Sequence, residues 1–164
     1  MDDITVQGPA VEEHLTPRGR AFLDHCRALQ AGDRLLPRAR FDPMRLPAHL
    51  PELILVDVHV EGDPRAAPDA AIAFTYRVVG TAEVEVRRRD PTGKSIDEEF
   101  FGGSLARVRT NYLTVFRSGA PLLDREAMTA PSGRPIVDVS LYLPMGGPDG
   151  IVTQILVHSE QLER

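Results

Sequence analysis

Residues 74–97 read FTYRVVGTAEVEVRRRDPTGKSID. With Ile72 ahead of them, Phe74, Tyr76 and Val78 alternate with Ala73, Thr75, Arg77 and Val79. A strand is expected, one face buried and the other carrying Thr75 and Arg77. Gly80 ends it, and Thr81 is expected to cap a short helix with apolar residues at Ala82, Val84 and Val86. Arg87, Arg88 and Arg89 then return the chain to water. Asp90-Pro91-Thr92-Gly93 is a turn, because Pro91 presets its own backbone angle and Gly93 tolerates a conformation that side chains disfavour. Ser95 is expected to cap a second short helix ending near Phe100 and Phe101.

This order, with YRVVGT at Tyr76 to Thr81 and RDPTGKSID at Arg89 to Asp97, resembles a PAS domain. More narrowly, it resembles the bacterial PAS-like family that carries a leading helix and an R-L-P-x-R…D-P segment. Here that segment is Arg34-Leu35-Leu36-Pro37-Arg38 followed by Asp42-Pro43, one leucine longer in its first word. The resemblance covers Arg18 to Glu160. It implies an α+β fold with a five-stranded antiparallel sheet in the order 2-1-5-4-3, a helical cluster on one face and an N-terminal helix.

The rest of the chain reads consistently with that order. Residues 1–15 are expected as a flexible acidic leader, 16–48 as the N-terminal helix and its connecting loop, 49–160 as the PAS-like core and 161–164 as a tail. Thr16 caps the leading helix, Pro17 takes its first position and Gly32 stops it. Its stripe of Phe22, Cys26 and Leu29 must be covered, either by the domain's own sheet or by a homodimer or signalling partner. Strands are expected at Glu52 to Val60, Pro121 to Thr129, Ile136 to Leu143 and Ile151 to Ser159. Between them, Ser104 caps a longer helix with Leu105, Val108, Tyr112 and Phe116 at helical spacing, and Gly119 stops it. Tight turns between the late strands require antiparallel pairing.

Composition bounds the function. The 164 residues suit one domain, and 19 basic against 24 acidic residues give −5, so no general affinity for nucleic acid is expected. Cys26 is the single cysteine, which excludes an intramolecular disulfide and any site built on several thiolates. The opening MDDITVQGPAVEEH is not a secretion signal and no apolar run has the length of a membrane span, so a cytoplasmic protein is expected.

Several motifs fail on context. Gly93-Lys94-Ser95 ends like a P-loop, but Arg88 stands where that motif needs glycine. Ser104 in Gly102-Gly103-Ser104-Leu105-Ala106 is a helix cap rather than a nucleophile. The five histidines, His14, His25, His49, His59 and His158, include no pair at metal-ligand spacing, so no metal site is expected. Residues Arg107 to Ser118 hold no histidine and Cys26 lies in the leading helix, so the haem, flavin and coumaryl chromophores of PAS sensors are not supported.

What the resemblance leaves is a mostly apolar PAS cavity between sheet and helices. Its expected lining is Phe74, Tyr76, Tyr112, Val139, Leu141 and Ile155, with Tyr76 and Tyr112 supplying hydroxyls to a small apolar or amphipathic ligand. The expected function is a stand-alone sensory or signalling domain without catalysis, its output passing through association at Phe22, Cys26 and Leu29. One alternative is a cone-shaped isomerase or dehydratase with a buried acid–base pair near Tyr76 or Tyr112. The other is a purely structural adaptor.

Overall fold

The computed structural model describes residues 2–163. Six antiparallel strands form one sheet: β1 (Ile4–Gln7), β2 (Leu53–Val60), β3 (Ile72–Val79), β4 (Leu122–Thr129), β5 (Pro135–Gly146) and β6 (Val152–Glu163). Three α-helices accompany it: α1 (Pro17–Gln30), α2 (Thr81–Arg87) and α3 (Leu105–Ser118). The strand order is β1-β4-β5-β6-β2-β3, which corrects the expected count from five strands to six: β1 is added at the β4 edge, and the five expected strands, β2 to β6 here, keep among themselves the order written 2-1-5-4-3 in their own numbering.

The additional strand comes from the segment expected to be a loose leader. Ile4–Gln7 pairs with Leu122–Arg125, and Thr5 Oγ1 donates to Asp124 Oδ1 at 2.7 Å. An uncovered β4 would leave a row of backbone donors and acceptors unpaired, and β1 satisfies them. Residues 93–96 cover the opposite edge. Gly93 N–H donates to Tyr76 O, Tyr76 N–H to Lys94 O and Ile96 N–H to Phe74 O, at 2.7, 2.9 and 3.1 Å. At the other end of the chain β6 runs through Glu163, across most of the expected tail. Met1 and Arg164 lie outside the described residues.

The sheet divides two cores. On one face α3 packs over Ile54, Val56, Phe74, Tyr76, Tyr142 and Ile155, and on the other α1 packs over Leu53, Leu55, Val139, Leu141 and Leu156. In α1 Thr16 Oγ1 accepts from Gly19 N–H at 2.9 Å, while Ala31, at φ 52°, makes the left-handed stop one residue before Gly32. Phe22 and Cys26 are buried in that second core and Leu29 packs against it. The stripe is therefore covered by the chain's own sheet, and Phe22 and Cys26 offer a partner no free surface. In α3 Ser104 Oγ accepts from Arg107 N–H at 3.1 Å and Gly119 closes the helix at φ 64°.

Two local expectations need correction. Residues 95–99 form turns rather than a helix: Ser95 bridges to Thr75 and its Oγ accepts from Glu98 N–H, so the segment is held along β3 before a helix can develop. The cap of α2 is Gly80, not Thr81. A Cβ on Gly80 would lie 2.3 Å from Pro51 O and 2.6 Å from Leu50 O, so only glycine lets α2 dock against residues 50–52.

Candidate functional site

Helix α2 presents the opposite face from the one its apolar residues suggest. Ala82, Val84 and Val86 are half-buried, whereas Glu83 is 0% exposed and Arg87 9% exposed. Arg87 does not return the chain to water. Spaced one helical turn apart, the two side chains point together toward the sheet, with Arg87 Nε 3.6 Å from Glu83 Oε2. The Arg87 guanidinium also lies over two rings, 5.1 Å from the Tyr76 centroid and 5.2 Å from that of Phe101.

The sheet meets this pair with a polar patch of its own. Ser140 Oγ donates to Asp138 Oδ2 at 2.8 Å, and the amide of Gln161 donates to Asp138 Oδ1 at 2.7 Å and to Glu83 Oε1 at 3.0 Å. Ser159 Oγ lies 3.1 Å from both Ser140 Oγ and Asp138 Oδ1. These residues share a face because β5 and β6 pair Ser140 with Ser159 and Asp138 with Gln161, two residues apart along each strand.

The network is incompletely satisfied. Among the described residues its Glu83 Oε2 and Arg87 Nε and Nη1 are buried without a hydrogen-bond partner, and so, elsewhere on α3, is Asn111 Nδ2. Such groups are uncommon in a folded interior, because each forfeits its hydration without replacement. Burial and the neighbouring Asp138 charge push the Glu83 carboxyl up to about 7, against the opposing pull of Arg87. Asp138 is raised as well, chiefly by burial, against the hydrogen bonds that favour its ionised form.

A surface groove of about 450 Å³ leads to this place, lined in part by Arg87, Pro91, Glu99 and Phe101. Arg87 is among its lining residues and so belongs to both groove and network.

The six expected lining residues do not converge. Phe74, Tyr76, Tyr112 and Ile155 lie on the α3 face, where Phe74 and Tyr112 pack with ring centroids 5.3 Å apart. Val139 and Leu141 point to the α1 face instead, and Tyr142 takes the place intended for Leu141, its ring 5.1 Å from Tyr112. A strand's side chains alternate, so a one-residue error in facing moves the whole set across the sheet. Glu83, Arg87, Asn111, Asp138, Ser159 and Gln161 escaped the sequence reading. Their only signal was the Asp138/Ser140 and Ser159/Gln161 alternation, which reads equally well as a solvated face.

Cys26 lies across the sheet from this site, and burial pushes its thiol up to about 12. Four arginines of the Arg18–Arg45 stretch are ion-paired, Arg18 with Glu52, Arg27 with Glu12, Arg40 with Asp33 and Arg45 with Asp42. Among the described residues no helix is long and apolar enough to cross a membrane.

Stability should depend on pH through the carboxyls at this site. A carboxyl raised in the folded state binds more protons there than in the unfolded chain. The Glu83 contribution to stability should therefore fall as pH rises from about 4.5 to about 7, the interval between the ordinary Glu value and that of folded Glu83, while His158, lowered by burial to about 3, contributes in the opposite sense below about 6.5. Asp138 acts in the same direction as Glu83. Glu83→Gln is expected to lose the Glu83 contribution, as read from the difference between its urea midpoints and those of the wild type across these limits. An unchanged slope would place the raised carboxyl elsewhere.

No family model matches the sequence, and no curated protein matches it. Among solved structures, an RNA-binding light-oxygen-voltage receptor is similar to 98% of this chain and 39% of its own, with 14% identity and a TM-score of 0.51. VqmA bound to DPO is similar over 66% of this chain and 52% of its own, with 12% identity and a TM-score of 0.48. The chain thus spans about half of the one and two-fifths of the other. Light-oxygen-voltage receptors are PAS-family proteins, and the likeness to one of them is a likeness of fold: the architecture is PAS-like.

Proposed function

We propose that this chain is a sensory or signalling domain that binds a small polar molecule between α2 and the sheet, without catalysis. The observation that carries the reading is the set of unpartnered buried atoms on Glu83 and Arg87. Two are donors, both on Arg87, and one is a carboxylate oxygen. A molecule with a carbonyl or carboxylate for the donors and an N–H or O–H for Glu83 Oε2 would satisfy them together. Tyr76 and Phe101, already against the Arg87 guanidinium, would flank it. The PAS-like fold supports a sensory role by analogy. Relative to the apolar or amphipathic ligand expected from sequence, the occupant is polar.

Native mass spectrometry of the freshly purified protein, set against its denatured mass, tests this. A non-covalent extra mass is expected, reduced at least tenfold in occupancy in Arg87→Met. A bare wild type that also shows no thermal shift with small amides, hydroxy acids or amino acids would overturn the proposal.

The same Glu83 supports a second reading as a general base in a small α+β enzyme, since a carboxyl held up to about 7 is suited to proton transfer. Incubation separates the two. A ligand recovered chemically unchanged favours the sensor, whereas conversion that ceases in Glu83→Gln favours the enzyme.

A further inference from the structure

On the opposite face of the sheet, beneath α1, two histidines separated by 109 residues meet. His49 Nδ1 lies 3.0 Å from His158 Nε2, and that same nitrogen lies 3.0 Å from Glu52 Oε2. One ligand atom from each of the three residues falls within 4.8 Å of the others. His49 and Glu52 lie in the turn just before β2, and His158 is on β6 opposite Leu53, so the β2–β6 register brings them together. Phe22 holds the His158 ring from the α1 side, stacked at 4.8 Å.

The proton count around His158 is unbalanced. A neutral imidazole has one N–H, yet Nε2 faces both His49 Nδ1 and Glu52 Oε2, and Nδ1 faces Glu160 Oε1 at 3.7 Å.

We propose that His49, Glu52 and His158 form a binding site for one divalent d-block cation of the zinc type. Two imidazoles and one carboxylate suit Zn²⁺ or Co²⁺ better than Mg²⁺ or Ca²⁺, which prefer all-oxygen shells. Tetrahedral bonds of about 2.0–2.1 Å place neighbouring ligand atoms about 3.3 Å apart. The two 3.0 Å contacts therefore need to open by only a few tenths of an ångström. The cation takes the Nε2 lone pair, which frees the ring proton for Nδ1–H to donate toward Glu160. Glu160 is steadied in turn by Thr16 Oγ1, which donates to Oε1. Glu52 also lines a groove of about 910 Å³, together with Arg18 and Glu160. Arg18 Nη2 donates to Glu52 Oε2 at 2.9 Å and competes with the cation there. The site is independent of the polar pocket across the sheet.

The test is isothermal titration of the full chain, stripped with chelator, with Zn²⁺, paired with visible spectroscopy after Co²⁺ addition. One equivalent is expected to bind, with the intense ligand-field absorption of low-coordinate Co²⁺. His49→Ala and Glu52→Gln should abolish both signals, and each is only half-buried, so both variants should fold. Glu160→Gln should weaken binding by about tenfold or more, Arg18→Gln should strengthen it, and the exposed His59→Ala should leave it unchanged. Failure of the wild type to bind a stoichiometric ion would overturn the site, as would undiminished binding by His49→Ala.

Discussion

Phe22→Asp is expected to leave the chain unfolded under conditions in which the wild type is native. Phe22 is 0% exposed and sits between rings, 4.8 Å from His158, 5.5 Å from His49 and 6.4 Å from Phe41 between centroids. Emptying such a site costs about 3–5 kcal/mol, as in Phe→Ala replacements. A carboxylate placed there adds the cost of a buried, unpaired charge, on the order of several kcal/mol more. The sum rivals the whole stability of a domain this size, about 5–15 kcal/mol. Far-ultraviolet circular dichroism and a urea titration decide it, with Phe22→Leu as the comparison that keeps the fold. A Phe22→Asp protein with native signal and an unshifted midpoint would mean that α1 is not packed as described.

Gly80→Ala should produce the second largest loss, about 3 kcal/mol, at the upper end of what overpacking costs. The added methyl would meet the backbone carbonyls of Pro51 and Leu50, atoms that cannot rotate away. Gly80 is also bonded on both sides: its N–H donates to Leu53 O at 2.8 Å, and its carbonyl accepts from Val84 N–H at 3.0 Å. Relief of the clash therefore has to move α2, and with it Glu83 and Arg87. Gly103→Ala is the control. Its methyl would meet only the carboxylate end of Glu126, at 2.1 Å, a flexible side chain that can swing aside at a cost of about 1 kcal/mol. Equal urea midpoints for the two variants would contradict the docking of α2.

The helices were legible because their ends carry chemistry. Thr16 with Pro17, and Ser104 with Gly119, announce α1 and α3 through the donors and acceptors that every helix end leaves open. Strands β2 to β6 were legible as strands, but β1 was not and β5 not in its facing. From Ile136 to Gly146 nearly every residue is buried, so alternation has no solvent side to mark it. Asp138 and Ser140 were the misleading residues, since polar side chains on a strand ordinarily face water. Here they face the polar network, and that inversion sent Val139 and Leu141 to the wrong side. Helix α2 inverted in the same way at Glu83 and Arg87. Such reversals of a local rule concentrate where function is built, and here they coincide with the proposed pocket. The His49–Glu52–His158 group was invisible for a different reason. Its members are assembled by the β2–β6 pairing alone, and no spacing along the chain records that.

The closed sheet edges bear on how the protein behaves in a crowded solution. Strand β1 lies along β4, Asp3 Oδ1 extends the cover by accepting from Ala127 N–H at 2.8 Å, and residues 93–96 lie along β3. Neither edge offers a long free ladder on which a second molecule could template. The four residues Ile4–Gln7 thus act as a guard against fibrillar self-association, a duty set by position rather than by any chemistry of their own.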